Sequence, residues 1–341
     1  FEASYSYLPI YGIQLGNGTK RILMWSQMHG NESTTTKACF DLLNYLIDNV
    51  QLLEHYSLYI IPILNPDGAK AYTRHNANGV DLNRDAQDLT QPESVVLREV
   101  FEAFKPHFCF NLHDQRTIFS AGNNNKPATV SFLAPAQDKK CAVTNTRQIA
   151  MEIIVSMNTM LQNYIPNSVG VYDDAFNINC VGDTFQSNNT PTILFEAGHF
   201  KDDYAREEVR KLIFGSLLIA LESISKNDNL GVNFQAYFKI PQNQKLFYDI
   251  LIRNAKVLIN SKEKVVDIAI QYKEVLVGKK VCFIPKIEDF GALTKFFGHK
   301  EINAKSQQVV LGDSEPLETE NAIDFVTINN EVFSLKLTDN Q

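Results

Sequence analysis

Through the first two thirds of the chain, short apolar runs and helical patterns take turns, and this alternation constrains the fold more than any other feature. Residues 21–27, 57–64, 108–112, 130–134 and 192–195 are apolar runs ended by Gly, Pro, Asn or His, the pattern of buried strands. Between them, residues 35–47, 95–104, 142–161 and 204–224 carry apolar side chains at three- and four-residue intervals, as helices packed on one face do. Such alternation predicts an α/β fold with a mixed, mostly parallel sheet sandwiched by helices, and such sheets hold ligands beyond the carboxyl ends of their strands. Chemistry should therefore cluster just after strands.

The texture changes after Ser223. A polar stretch at 225–229 reads as a linker, and residues 265–272, 280–285, 308–311 and 322–335 alternate or run apolar, with turn signals at Gly278, Gly312-Asp313 and Asn329-Asn330. The expectation is a large domain over 1–228 and a smaller β-rich domain over 229–341. With 341 residues, 44% of them hydrophobic and 21% charged, the chain can bury a sizeable core.

Composition also excludes partners. A net charge of -7 with no clustered Lys and Arg argues against nucleic acid, which calls for cationic patches. No apolar run approaches the ~20 residues a membrane-spanning helix needs. Cys39, Cys109, Cys141, Cys180 and Cys282 are odd in number and contain no CxxC pair, so buried reduced thiols and a cytoplasmic location are expected. One feature counts against a cytoplasmic location: the chain starts at Phe1 rather than Met, so an address could have gone with a trimmed segment.

The residues able to do chemistry lie where the strand pattern puts them. Residues 22–27 run into Met28-His29-Gly30-Asn31-Glu32, followed by a Ser/Thr-rich helix entrance. Two residues in a tight Gly-containing turn let an imidazole and a carboxylate converge on one ion. Likewise, the run 108–112 delivers His113 at its end, and 192–195 delivers Glu196. Three N/O ligands with an open fourth position describe a catalytic zinc, whereas structural zinc sites favour four ligands rich in Cys.

Further along come Asn65-Pro66-Asp67-Gly68, Arg74 and Gly79-Val80-Asp81-Leu82-Asn83-Arg84-Asp85. Taken in order with HGNE, the strand-end His and the strand-end FEAG, this series resembles the zinc carboxypeptidase family over residues 20 to 225. By that resemblance His29, Glu32 and His113 hold one Zn2+ per chain, and Glu196 is the general base. Asp81 matches the carboxylate that orients the first metal-binding imidazole, and Arg74 the arginine that stabilises the oxyanion. Asn83 and Arg84 match the pair that grips the terminal carboxylate of the substrate, and Tyr172 is the counterpart of the mobile tyrosine. Two substrate-facing positions depart from the digestive enzymes of the family: Asn31 stands where they have Arg, and Asp85 where Asn is usual.

The resemblance implies a zinc-dependent hydrolase, a metallocarboxypeptidase cleaving a C-terminal peptide or amide bond. The alternative is an N-acyl amino acid deacylase of the aspartoacylase and succinylglutamate desuccinylase type, whose HGNE and DLNR motifs are similar. NPDG and the fuller GVDLNRD favour the peptidase, while the HGNE spelling and the small residues after Glu196 lean toward the deacylase. The substrate is accordingly a peptide or an N-acyl amino acid.

Overall fold

The computed structural model describes residues 3–226 and 229–337. Asn227 and Asp228, at the centre of the expected linker, lie outside the described residues. The chain forms two compact units, one of Phe1–Arg116, Ala128–Phe200 and Arg206–Asn243, the other of Thr117–Pro127, Lys201–Ala205 and Gln244–Gln341. The second unit therefore takes in two short segments from the first two thirds of the chain, and the main division falls later than residue 228.

The strands in chain order are β1 (Ile13–Leu15), β2 (Lys20–Ser26), β3 (Tyr56–Ile61), β4 (Phe108–Asp114), β5 (Phe119–Ala121), β6 (Val130–Leu133), β7 (Val169–Val171) and β8 (Thr192–Ala197). Seven of them form the sheet of the first unit, in the order β1-β3-β2-β4-β8-β6-β7. The four central strands β3, β2, β4 and β8 run parallel, while β1 pairs antiparallel with β3 and β6 antiparallel with β8. The chain leaves β2 for β3 on one side and returns to β4 on the other. That reversal opens a crevice at the carboxyl ends of β2 and β4, the usual ligand position in such sheets.

Helices cover both faces. One face of the sheet packs against α1 (Thr34–Asp48), α4 (Asn145–Leu161) and α6 (Glu207–Lys226), burying Ile22, Met24, Phe110, Leu112, Phe132 and Phe195. The opposite face, with Leu23, Trp25 and Cys109, packs against α3 (Pro92–Phe104) and α5 (Val181–Ser187). Because strand side chains alternate between faces, odd positions of β4 and even positions of β8 look away from the larger core. A sixth helix, α2 (Pro66–Ala71), follows β3. No helix among the described residues is long and apolar enough to cross a membrane.

The second unit is β-rich, as expected. Beyond β9 (Asn243–Lys245), a sheet is built from β10 (Phe247–Ile259), β11 (Lys262–Val277), β12 (Lys280–Gly291) and β13 (Phe297–Asn303), in the order β12-β11-β10-β13. Strands β14 (Val309–Leu311), β15 (Phe325–Ile328) and β16 (Glu331–Ser334) form a three-stranded sheet. Ile250, Ile252, Ile268 and Ile270 from the larger sheet share one core with Val309, Leu311, Val326 and Ile328 from the smaller.

All five cysteines are free thiols. Cys39 and Cys109 are buried as expected, but Cys141, Cys180 and Cys282 are half-buried, because they sit in loops or on an outer strand rather than in the central sheet.

Candidate active site

The loop after β2 is built by backbone packing. Its glycine lies against the second motif: a Cβ on Gly30 would come within 1.9 Å of the Gly68 carbonyl carbon, so only glycine fits. Asn65 bridges the two segments, its Nδ2 donating to Met28 O at 3.2 Å and its Oδ1 accepting from Gly68 N–H at 2.8 Å. Gln27 Nε2 closes the loop on Gly30 O at 2.7 Å. HGNE and NPDG are thus two halves of one rigid piece.

That piece presents His29 and Glu32 to His113 at the end of β4, all three buried. His29 Nδ1 lies 2.8 Å from Glu32 Oε1, and His113 Nδ1 lies 2.8 Å from Glu32 Oε2 and 3.1 Å from His29 Nδ1. One ligand atom from each residue falls within 4.8 Å of the others. The second nitrogen of His29, Nε2, sits 3.0 Å from Asp81 Oδ1. With Nε2–H donating to that carboxylate, Nδ1 turns a lone pair toward the oxygens of Glu32. Acceptors facing acceptors need positive charge between them, so this donor set fits a divalent cation.

The titration behaviour records the same demand. Burial draws the His29 imidazole down, but the Glu32 charge and the hydrogen bond to Asp81 outweigh it, so His29 is raised above the usual range. Burial lowers His113. Against its own burial, Glu32 is held well below the usual carboxylate range by the charges of His113 and His29.

Glu196 is the register partner of His113 in the parallel β4–β8 pair, so it stands on the same face, one strand away from the ligands. Its Oε2 is buried with no hydrogen-bond partner among the described residues. Burial, with Glu32 and Asp114 nearby, pushes its carboxyl well above the usual range.

Asp81 holds three groups. Its Oδ1 takes His29 Nε2 and the Asn83 N–H at 2.9 Å, and its Oδ2 accepts from Arg74 Nη2 at 3.0 Å and Nε at 3.2 Å. Arg74 Nη1 also reaches Glu32 Oε1 at 3.5 Å, which brings the guanidinium to the edge of the ligand cluster. The Asn83 side chain accepts the Val181 N–H at 3.1 Å, and Arg84 is exposed with Nη1 on Asn83 O at 2.7 Å. Tyr172, just past β7, donates its hydroxyl to Gln115 Oε1 at 2.8 Å. Its phenol is raised by burial and by the charges of Glu196 and Glu32.

Three supporting residues escaped the sequence reading. Asp114 accepts the Thr34 and Thr35 N–H groups at 2.8 and 3.1 Å, so the N-terminus of α1 is capped from β4, not by Ser33. Gln115 donates to Ala128 O at 2.5 Å and accepts from Tyr172. Arg206 bridges Gln115 O and Ala197 O at 3.0 and 3.1 Å, clamping the ends of β4 and β8. Only their position directly after a strand-end ligand could have marked Asp114 and Gln115; nothing in the sequence marks Arg206.

Residues 3–152 match the family model described as zinc carboxypeptidase. Carboxypeptidase 2 of Trichophyton rubrum is 32% identical over 125 residues, 35% of this chain and 22% of that protein. The carboxypeptidase N catalytic chain of Homo sapiens is 34% identical over 82 residues, 18% of each. The chain spans less than a quarter of the length of these relatives. Among solved structures, carboxypeptidase A from Helicoverpa armigera superposes with a TM-score of 0.54 at 16% identity, covering 67% of this chain and 68% of that one. Bovine thrombin-activatable fibrinolysis inhibitor superposes with a TM-score of 0.52 at 13% identity, covering 66% and 89%. The likeness to the zinc carboxypeptidase family is confined to residues 3–152.

Proposed function

We propose that the protein is a zinc metallocarboxypeptidase that removes a residue from the C-terminus of a peptide. The observation that carries this reading is the convergence of His29, Glu32 and His113 with Glu196 one strand away on the same face. His29, Glu32 and His113 would hold the zinc, which when bound supplies Lewis acidity that acidifies water and polarises a carbonyl. Glu196 takes the proton of the attacking water and delivers it to the leaving amine. Its unpartnered Oε2 is available for that hydrogen bond, and burial strengthens its affinity for the proton it must carry. Arg74 offers N–H groups to the developing oxyanion. Asp81 fixes the His29 tautomer.

Asn83 and Arg84 would bind the free carboxylate, with the exposed Arg84 guanidinium supplying a two-pronged contact and Asn83 kept in place by Val181. Tyr172 closes the substrate side of the cleft. The NPDG segment, tied into the metal loop through Asn65, favours the peptidase over the N-acyl amino acid deacylase, since it belongs to the series that matches the carboxypeptidases.

Blocked dipeptides with free and amidated C-termini test the reading. The zinc-loaded protein should hydrolyse the free form at least ~10-fold better in kcat/KM, and Arg84→Ala should shrink that gap. Equal turnover of both forms by the parent would remove the carboxypeptidase assignment.

A further inference from the structure

Two residues before His113 on the same face of β4 stands the buried amide of Asn111. It is 2% exposed, and its Oδ1 has no hydrogen-bond partner among the described residues. Leaving a buried polar atom unpaired costs stability, so such an atom needs another explanation.

Its neighbours line the sheet face that bears Glu196 and His113. The register sets Asn111 beside Trp25 of β2 and Leu194 of β8, and Leu194 in turn opposite Leu133 of β6. Leu194 and Leu133 are half-buried, whereas their neighbours Ile193 and Phe195 are buried. Leu194 and Leu133 thus leave part of the sheet uncovered on the face that bears Glu196 and His113. Above this row lies Gly182, where a Cβ would come 3.0 Å from Pro135 and 4.0 Å from Asn111 Nδ2. The residue before it, Val181, is the one whose N–H is bound by Asn83. A substrate residue whose carboxylate is gripped at Asn83 and Arg84 thus sends its side chain toward Gly182 and Asn111.

The charged groups nearby are already engaged. Asp183 bonds the backbone at Asn177 and Ala136 and the Cys180 thiol. Arg147 donates to Ala134 O at 3.2 Å, Cys141 O at 2.7 Å and Asp174 Oδ2 at 2.5 Å. Neither a cationic nor an anionic side chain would find a counter-charge there. An apolar side chain would leave Oδ1 unpaired, and a hydroxyl would meet only one end of the amide.

Resting on the carboxypeptidase reading, we propose that Asn111 is a specificity-determining residue that pairs reciprocally with a neutral amide side chain at the C-terminus of the substrate, glutamine above all. Two residues of strand span ~7 Å, so glutamine, one methylene longer than asparagine, is the better match to the depth of Asn111 below the ligands.

The test is kcat/KM of the zinc-loaded protein on blocked dipeptides ending in Gln, Met, Lys and Glu, for the parent, Asn111→Leu and Asn111→Asp. The parent should favour Gln over the similarly sized Met by about 10- to 100-fold, the effect of one buried hydrogen-bonding pair left unmade. Asn111→Leu should abolish that ratio, and the isosteric Asn111→Asp should move the preference to Lys. Parental turnover of Met at or above that of Gln would overturn the inference alone, as would a Gln preference that survives in both variants. Failure to cleave any of the four peptides would remove the carboxypeptidase reading and this inference with it.

Discussion

His29 is set by its neighbours on both ring nitrogens, with Asp81 at Nε2 and the Glu32 and His113 side chains at Nδ1. Asp81 does more than orient an imidazole, because the same carboxylate anchors Arg74 and the Asn83 backbone. Removing its charge should therefore loosen metal and substrate groups together. Asp81→Asn is expected to weaken zinc binding by about 10- to 100-fold, the usual effect of losing such a partner. Zinc titration against a competing chelator reads this directly, and unchanged affinity would show that Asp81 serves only Arg74 and Asn83.

At the scale of elements, the site depends on α1 being fastened to β4 through Asp114. Its carboxylate is the side-chain cap of the first turn, so Asp114→Ala should cost about 0.5–2 kcal/mol, read as a lower denaturant midpoint at constant slope. No change would mean that water replaces the cap. The same element shows what a sequence can and cannot reveal. The strand ends that carry His113 and Glu196 were legible because apolar runs stop sharply at them, and the helix after Glu32 because its apolar spacing is regular. The cap was not, since a Ser/Thr-rich entrance implies a local cap while the actual acceptor comes from a strand distant in sequence. Two long-range strands were missed for related reasons. In β10, the register shifts between Ile252 and Ala255, with Asn254 at a φ of 52°, and this breaks the alternation. Strand β13 is largely polar and only one of its residues, Ile302, is buried, and its pairing with β10 is parallel, so neither pattern nor a hairpin turn announces it.

At the scale of the whole molecule, the largest core of the first unit lies on the sheet face that packs against α1, α4 and α6, and the β-rich unit has a core of its own. The β-rich unit carries a pH-sensitive group. His299 stacks on Phe247 at 4.6 Å between ring centroids and lies 2.8 Å from Thr117 O through Nε2, and burial lowers it to about 4 against the pull of that carbonyl. A depressed histidine contributes stability above its unfolded value near ~6.5, and loses it as pH falls toward the folded value. Between those limits the parent should lose up to ~2 kcal/mol relative to His299→Gln, after discounting for its partly solvated setting. Denaturant midpoints of both proteins at several pH values measure it, and parallel curves would show that His299 does not titrate with folding.

The central claim is that Glu196 moves the proton while His29, Glu32 and His113 hold the metal. Glu196→Gln keeps the shape and removes the base, so kinetics on a blocked dipeptide with a free C-terminus, measured beside zinc content on the same preparation, tests it most directly. The expected result is a fall in kcat of about 100- to 10,000-fold with KM little changed and zinc fully retained. Near-parental kcat at full zinc occupancy would contradict it.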